Sequence, residues 1–390
     1  MKLTKEELLE SLRAGLARIP DPRRHRGIRH ALADILTVVV LGSMCNCDSV
    51  EENGDWSDDN SEWLLPFIKC PHGLPSADTI LRVLAVMCPK AFDEALADWV
   101  SKFRQSVQQG QQRQIAIDGK TLRGSGDRAD AKRPAHLLSA FVTETGLALM
   151  QEVIDAKENE IIAIPELLER LNLKETTVSI DAMGCQRAIA AQIIKKGGDY
   201  LLAVKENQPT LYADGIAYFD WALAEKHPFD DVPPPVRSAS STDAGHGRIE
   251  ERTAHILPTH KYLSTRRDWK GLAGIGIVES QRTDKLSGKT GGLERRYFIF
   301  SDKAMTPELL LRQSRAHWAI ENGLHWTLDV VFREDDSQVR TKNAAANLSL
   351  ARKTALNLLR ASPLRMSLRR KRSACARRPE RVLEAIAASI

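Results

Sequence analysis

The sequence predicts an α/β layer sandwich preceded by an all-helical N-terminal unit. Two observations point there. Short β-prone runs, Gln114-Ile-Ala-Ile-Asp118 and Thr177-Val-Ser-Ile-Asp181, alternate with helical patterns, the sign of a layered α/β domain. Upstream, to about residue 108, apolar residues recur at helical spacing instead. A chain of 390 residues that is 43% hydrophobic can build a sizeable core and two or three folding units.

The elements follow in order. Leu8, Leu9, Leu12 and Leu16 mark a first amphipathic helix, which Asp21-Pro22 ends. Ala31–Met44 reads as a buried helix. Pro71, Pro75 and Pro89 punctuate the helices that follow, one of them capped by Ser76 over Ile80–Met87. Gln109–Gln112 is a polar linker. His136–Thr143 and Leu147–Ile154 form two strands around Glu144-Thr-Gly146, Ile161–Leu171 an amphipathic helix, Cys185–Lys196 another, and Tyr200–Val204 a third core strand. Pro233-Pro-Pro235 and the Ser/Thr/Gly-rich stretch to Gly247 read as a loop. Arg252–Ile256, Ile275–Ser280 and Arg296–Phe300 make a β-rich insertion over about 208–297, expected as a small sheet beside the core. Helices resume at Thr306, with Arg315–Leu328 and Asn343–Leu359 the clearest. The expected division is a helical unit over 1–108, a catalytic domain over 109–360, and a basic C-terminal segment over 361–390.

Charge is uneven. The net formal charge is +5, yet Arg352 to Arg381 holds eleven Lys/Arg and the single acid Glu380, while Asp48 to Glu62 holds seven acids and no base. A basic end on an acidic body suits a phosphate-backbone contact and equally suits a solvated tail. Six cysteines in a chain this long are no disulfide framework. Cys45-x-Cys47 with Cys70-x-His72 could be forced into a zinc site, but i and i+2 thiols on a helix diverge. The N-terminus is charged and helical, not a signal peptide, and Ile35–Cys45 is too short to span a bilayer. A cytoplasmic chain is expected.

The chemistry lies in the strand ends. In open α/β sheets, sites collect at the carboxyl ends of strands. Asp118 and Asp181 there form a hard-oxygen pair suited to Mg²⁺. Holding two ions about 4 Å apart needs a third carboxylate, which Glu321 can supply from a helix. Taken singly, Asp118 is also a turn former beside Gly119, and Asp181 a helix cap. Lys120, Arg123, Lys205, Asn207 and Gln208 follow the strand ends, where they would meet phosphates or simply solvent. His317, Glu321 and His325 share a helical face at i, i+4, i+8, readable as polar packing, a phosphate contact or a zinc site. Trp318 and Trp326 are core residues or base-stacking platforms. Lys157, Asn159 and Glu160 start a helix, as a site or as a cap. His246, Arg248 and Glu250 have no role beyond a DNA contact.

Several segments carry a resemblance that runs nearly end to end. They are Ala116-Ile-Asp-Gly-Lys-Thr-Leu-Arg-Gly124, Lys157-Glu-Asn-Glu160, Ser179-Ile-Asp-Ala-Met-Gly-Cys-Gln186, Asp199-Tyr-Leu-Leu-Ala-Val-Lys-Glu-Asn-Gln208, His246-Gly-Arg-Ile-Glu250 and His317-Trp-Ala-Ile-Glu-Asn-Gly-Leu-His-Trp-Thr-Leu-Asp-Val330. Asp21-Pro-Arg-Arg24, His30-Ala-Leu-Ala-Asp34 and Leu74-Pro-Ser-Ala-Asp-Thr79 resemble the domain usually attached at the N-terminus. The chain thus resembles the H-repeat-associated subgroup of bacterial insertion-sequence DDE transposases. The resemblance implies an RNase H-like core, the triad Asp118, Asp181 and Glu321, two Mg²⁺ ions for which Mn²⁺ can substitute, and DNA partners: the element's terminal inverted repeats and target DNA. It also implies a homodimer on DNA. Related DDE transposases carry Tyr, Arg and Lys around the glutamate; here the positions hold Ser314, His317 and Leu328, while Trp318 matches. Two other readings compete: a catalytically silent, transposase-derived DNA-binding protein, and a nonspecific Mg²⁺ nuclease.

Overall fold

The computed structural model describes residues 5–24, 28–104, 113–127, 129–154, 159–224, 233–245 and 247–387. The linker 109–112 and the motif residues Lys157 and His246 lie outside them. Helices α1 (Lys5–Leu16), α2 (Leu32–Met44), α3 (Val50–Asp59), α4 (Ser61–Leu64), α5 (Ala77–Val86) and α6 (Pro89–Arg104) come first. Every residue of α2 is buried, as its unbroken apolar run requires. A capping box fixes the start of α3: Ser49 Oγ accepts from Glu52 N while Glu52 returns a bond to the Ser49 backbone.

Next come β1 (Arg113–Thr121), β2 (His136–Val142), β3 (Leu147–Ile154), α7 (Glu160–Arg170), β4 (Thr176–Ile180), α8 (Arg187–Lys195), β5 (Asp199–Val204) and α9 (Pro209–Leu223). The strands lie in the order β3-β2-β1-β4-β5. The first three are antiparallel neighbours, and β4 and β5 run parallel to β1. This is an RNase H-like core. The register sets Ile117 opposite Ile180, so β1 and β4 deliver Asp118 and Asp181 side by side.

The remaining strands are β6 (Arg237–Gly245), β7 (Arg248–Pro258), β8 (Gly274–Asp284) and β9 (Glu294–Phe300). They correct the expectation of a small separate sheet. Strand β9 pairs antiparallel with β5, Leu201 opposite Phe300, and the order continues β9-β8-β7-β6 in one nine-stranded sheet. The physical reason is the run Tyr297-Phe-Ile-Phe300, in which all four side chains are buried; such a strand needs neighbours on both edges and cover on both faces. The stretch expected as a loop before Gly247 is instead β6, a polar edge strand fully paired with β7.

Then follow α10 (Pro307–His317), a π-helical segment at Ile320–His325, α11 (Trp326–Val331), α12 (Ala344–Ala361), α13 (Leu368–Arg377) and α14 (Glu380–Ala387). One core joins both chain ends: Leu36, Val39, Leu84 and Phe92 pack in the same cluster as Leu324, Leu356, Cys375 and Leu383. A second core fills the sheet's other face beneath α7, α8 and α9. The basic C-terminal segment is therefore not a solvated tail. Arg352, Lys353, Lys371 and Arg372 are buried. The Arg372 guanidinium donates to Asp48 Oδ1 (2.7 Å), the Ser43 carbonyl (3.0 Å) and the Val331 carbonyl, and lies over the Phe332 ring. Part of the positive C-terminal charge thus folds against the start of the acidic stretch, and a buried pair of this kind costs about 3–5 kcal/mol to break from one side.

Candidate active site

Asp118 lies inside β1, which pairs with β2 on to Thr121 and so does not end at Asp118 as the sequence suggested. Burial pushes its carboxyl up to about 7, opposed by the Gly119 N–H and reinforced by Glu160, Asp181 and Glu321. Asp181 sits one residue past β4. Its Oδ1 accepts from the Met183 and Gly184 N–H groups at 3.1 and 3.3 Å, so it does cap the following turn. Its pKa is also raised, by burial first and then by Glu160, while Gly184, Met183 and Lys205 oppose. Glu321 lies on the exposed face of the π-helical segment and is raised by burial and Asp181, with Arg296 pulling the other way. The three carboxylates are near enough to disfavour one another's charge. Among the described residues no three or more His, Cys, Asp or Glu side chains are grouped so as to hold a metal ion. The donors still suit a hard divalent cation: all are oxygen, and their charge is left largely uncompensated.

Glu160 belongs to this cluster, and sequence reasoning left it between site and cap. As the first residue of α7, it reaches back over β1, where Oε1 meets His136 Nε2 at 2.8 Å. A Cβ on residue 119 would lie 2.1 Å from that same oxygen, so glycine there leaves the carboxylate this position, and a side chain would push it aside. The signal available in the sequence was the glycine between Asp118 and Lys120, whose missing side chain leaves room for a carboxylate.

The helix that carries Glu321 is docked by hydrogen bonds to both aspartate strands. Gln114 Nε2 donates to Ser179 Oγ and to the Gln313 carbonyl, both 2.8 Å, and Gln313 Nε2 reaches Thr177 Oγ1 at 3.2 Å. His317 Nδ1 meets Ser179 Oγ at 3.1 Å, and burial drives its pKa down to about 4. Its Nδ1 is turned toward β4. His325 Nδ1 lies 3.5 Å from Asp118 Oδ2, and burial pushes it down to about 3. The i, i+4, i+8 face expected for His317, Glu321 and His325 is thus divided, because a π segment winds more residues per turn than an α-helix. Arg360 from α12 takes the Gly323 carbonyl within that segment and also the Gly146 carbonyl, pinning the distortion.

The cations expected beside the site part ways. Lys120 turns inward, ion-paired to Asp329 and, at 2.7 Å, to Glu334. Asn207 Nδ2 donates to the Ala182 carbonyl (2.6 Å) and Gln208 Nε2 to Cys185 (2.8 Å), so both hold the loop after Asp181. Arg123 is 83% exposed, 3.5 Å from Asp335, and Lys205 is exposed beside Asp181. Trp318 is 40% exposed with the Arg296 guanidinium 4.7 Å over its ring, and Trp326 is 57% exposed. Neither ring is core. In the insertion, Glu250 is spent on Arg252 and Arg282. Cys45 and Cys47 are buried free thiols whose pKa burial raises, away from any such cluster.

Asp118 inside β1, Asp181 one residue past β4 and Glu321 on the π-helical segment thus influence one another's charge on an RNase H-like sheet, the fold class of DDE domains. Sequence comparison specifies the family. Residues 109–358 match the family described as "Transposase DDE domain" and residues 14–100 the family described as "DDE_Tnp_1-associated". The chain belongs to the DDE transposase family. It is 39% identical over 354 residues to "Putative transposase YncI" of Escherichia coli O157:H7, covering 90% of this chain and 88% of that one. It is 36% identical over 355 residues to "H repeat-associated putative transposase YhhI" of Escherichia coli strain K12, covering 90% of each. A cryo-EM structure of a piggyBac transposase synaptic complex with hairpin DNA aligns over 95% of this chain and 77% of that one, with 10% identity and a TM-score of 0.41. Among the described residues no helix is long and apolar enough to cross a membrane.

Proposed function

We propose that this chain is a DNA transposase that binds the ends of its mobile element and performs Mg²⁺-dependent phosphodiester hydrolysis and strand transfer through Asp118, Asp181 and Glu321. The observation that carries the reading is the mutual electrostatic influence of these three acids, brought from two neighbouring strands and one helix. Asp118, Asp181 and Glu321 would hold the divalent ions, with Glu160 adjoining. Bound there, Mg²⁺, or Mn²⁺ in its place, would neutralise the scissile phosphate and lower the pKa of the attacking water.

The chain's own groups do the rest. With the ions bound, the carboxylates would be held ionised. The Ser179–His317 bond keeps the glutamate helix against β4, and the Gly119 cradle keeps Glu160 beside Asp118. Lys205 and Arg123 flank the site as exposed cations for phosphates, and Trp318 offers a ring face at its rim. Lys120, Asn207, Gln208 and His317, expected as DNA contacts, act in this reading from beneath. Hydrolysis at the element end leaves a 3′-OH. That oxygen then attacks a target phosphorus and displaces the target's own 3′ oxygen. The protein works on DNA in the nucleoid as a homodimer, with 1–108, 109–360 and 361–390 as its sequence units.

The test is strand cleavage on a plasmid carrying the element with its flanks. Wild-type protein with Mg²⁺ should nick at the element ends, and Asp118→Asn, Asp181→Asn and Glu321→Gln should each bind the DNA without cutting it. Wild-type binding without cleavage would favour a silent DNA-binding protein. Cleavage of any duplex alike would favour a nonspecific nuclease.

A further inference from the structure

A second concentration of uncommitted positive charge lies in the helical N-terminal unit, in a cleft that none of these carboxylates lines. A cleft of about 1010 Å³ opens between the segment after Pro22, helix α5 and Thr341-Lys342. Arg23, Arg24, Arg29, Arg82 and Lys342 line it together with His30 and His72, and no carboxylate does. Arg23 is spent on Asp21 (2.6 Å) and the His30 carbonyl. Arg24, Arg29 and Lys342 are exposed and have no ion-pair partner among the described residues.

Three further features single this cleft out from an ordinary basic surface. The His30 side chain lines it yet belongs to a residue only 8% exposed, and its Nδ1 has no hydrogen-bond partner among the described residues. A buried polar atom left unpaired is costly, and a ligand oxygen would relieve it. Helix α5 begins at the cleft, where Ser76 and Thr79 line it and Ser76 gives the first turn no side-chain cap, although Asp78 stands in that turn. Lys342 is held at φ 43°, a conformation that side-chain-bearing residues rarely adopt and that tends to be kept where function needs it.

We propose that this cleft is a phosphate-backbone binding site for duplex DNA, in which Arg24, Arg29 and Lys342 hold the duplex while the chemistry proceeds at Asp118. The inference rests on the transposase reading. Neutral ligands would waste the charge, and the family's substrate is the polyanion that fits it. Lys and Arg contacts to phosphate carry no sequence information, so the cleft grips element end and target alike.

The experiment measures duplex affinity of the full chain by fluorescence anisotropy across a salt series, with two mixed-sequence duplexes of different base composition. The triple variant Arg24→Ala/Arg29→Ala/Lys342→Ala should flatten the slope of log K against log salt by about 2 to 3 units, at about 0.9 per lost contact. The loss should be equal on both duplexes, with an unchanged melting temperature. Arg29→Lys should retain the wild-type slope. Arg369→Ala/Arg370→Ala/Arg377→Ala on α13 removes the same charge elsewhere and should change the slope less. An unchanged slope for the cleft variant, a loss confined to one duplex, or an equal effect from the α13 variant overturns the proposal. A wild-type chain that binds neither duplex fails the transposase reading itself.

Discussion

Asp118 and Lys120 stand two residues apart on one strand, and each sits in a charged cluster, yet the clusters are opposites. Around Lys120 the charges are mixed: Asp329 and Glu334 pair with it, and Arg352 stands 3.9 Å from Glu334. Lys353 donates to Ser139 Oγ and Gln151 Oε1 at 2.8 and 2.6 Å close by. There the Glu334 carboxyl is held below its ordinary range despite burial, because Lys120, Arg352 and Lys353 outweigh the desolvation. Around Asp118 the near carboxylates all share its sign, and its pKa rises to about 7. The compensated cluster ties β1 to α12 and is structural. The uncompensated one is held in a strained electrostatic state by the rest of the fold, as an apo metal site is.

Substitutions can break that contrast, and the largest effect should fall on activity. Asp118→Asn removes a metal-facing carboxylate that would contribute several kcal/mol, so cleavage should fall by roughly a thousandfold or more. A variant that nicks the element end within about tenfold of wild type would refute the assignment. On stability, Glu334→Gln should cost about 3–5 kcal/mol, since it strands Lys120 and Arg352 in the interior. Urea denaturation reads this directly, and a cost below about 1 kcal/mol would mean the network is not the strut described.

Asp118→Asn should have the opposite sign on stability. The folded pKa of Asp118 lies above its ordinary 3.8, so its contribution is full below that value and is lost as pH rises through about 7. In metal-free protein the variant should therefore gain on wild type between about pH 4 and 7, by roughly 2–4 kcal/mol at the plateau. His317 and His325 run the other way in both proteins. Their folded values near 4 and 3 lie below 6.5, so their contribution is lost as pH falls below 6.5. A stability difference that is flat with pH would contradict the raised Asp118 carboxyl, which burial drives first and the neighbouring acids reinforce. Magnesium should close the gap by stabilising wild type alone, by about 2.7 kcal/mol at a hundred times its Kd; a melting shift of equal size in both proteins would place the ion elsewhere.

The smallest effect belongs to the docking of the glutamate helix. Ser179→Ala removes two hydrogen bonds, to His317 and to Gln114, each worth about 1 kcal/mol. Cleavage should drop a few-fold, with DNA affinity and metal binding intact. A loss as deep as that of Asp118→Asn would show that Ser179 acts on the substrate itself.

Much of this was readable before any coordinates. The short β-prone runs ending on Asp118 and Asp181 marked two strands, and the helical spacing around Glu321 marked the third element. Glu160 was ambiguous because one residue at a helix start can serve as a cap or face a site, and only the position of α7 over Gly119 decides between them. The π winding at Ile320–His325 was invisible because an apolar pattern of Ile320, Leu324 and Leu328 fits an α-helix equally well. Strand β6 was hidden because a polar edge strand has the composition of a loop.

Sequence alone determined which residues could do chemistry, since residue type, strand-end placement and patterning are local properties of the chain. Tertiary structure alone decided which charges are spent. The eleven basic residues from Arg352 to Arg381 look alike in the sequence, yet Arg372 is sealed against Asp48 while Arg369 and Arg370 face solvent. The difference arises because a charge is neutralised by what lies near it in space, and the acid that neutralises Arg372 is 324 residues away along the chain.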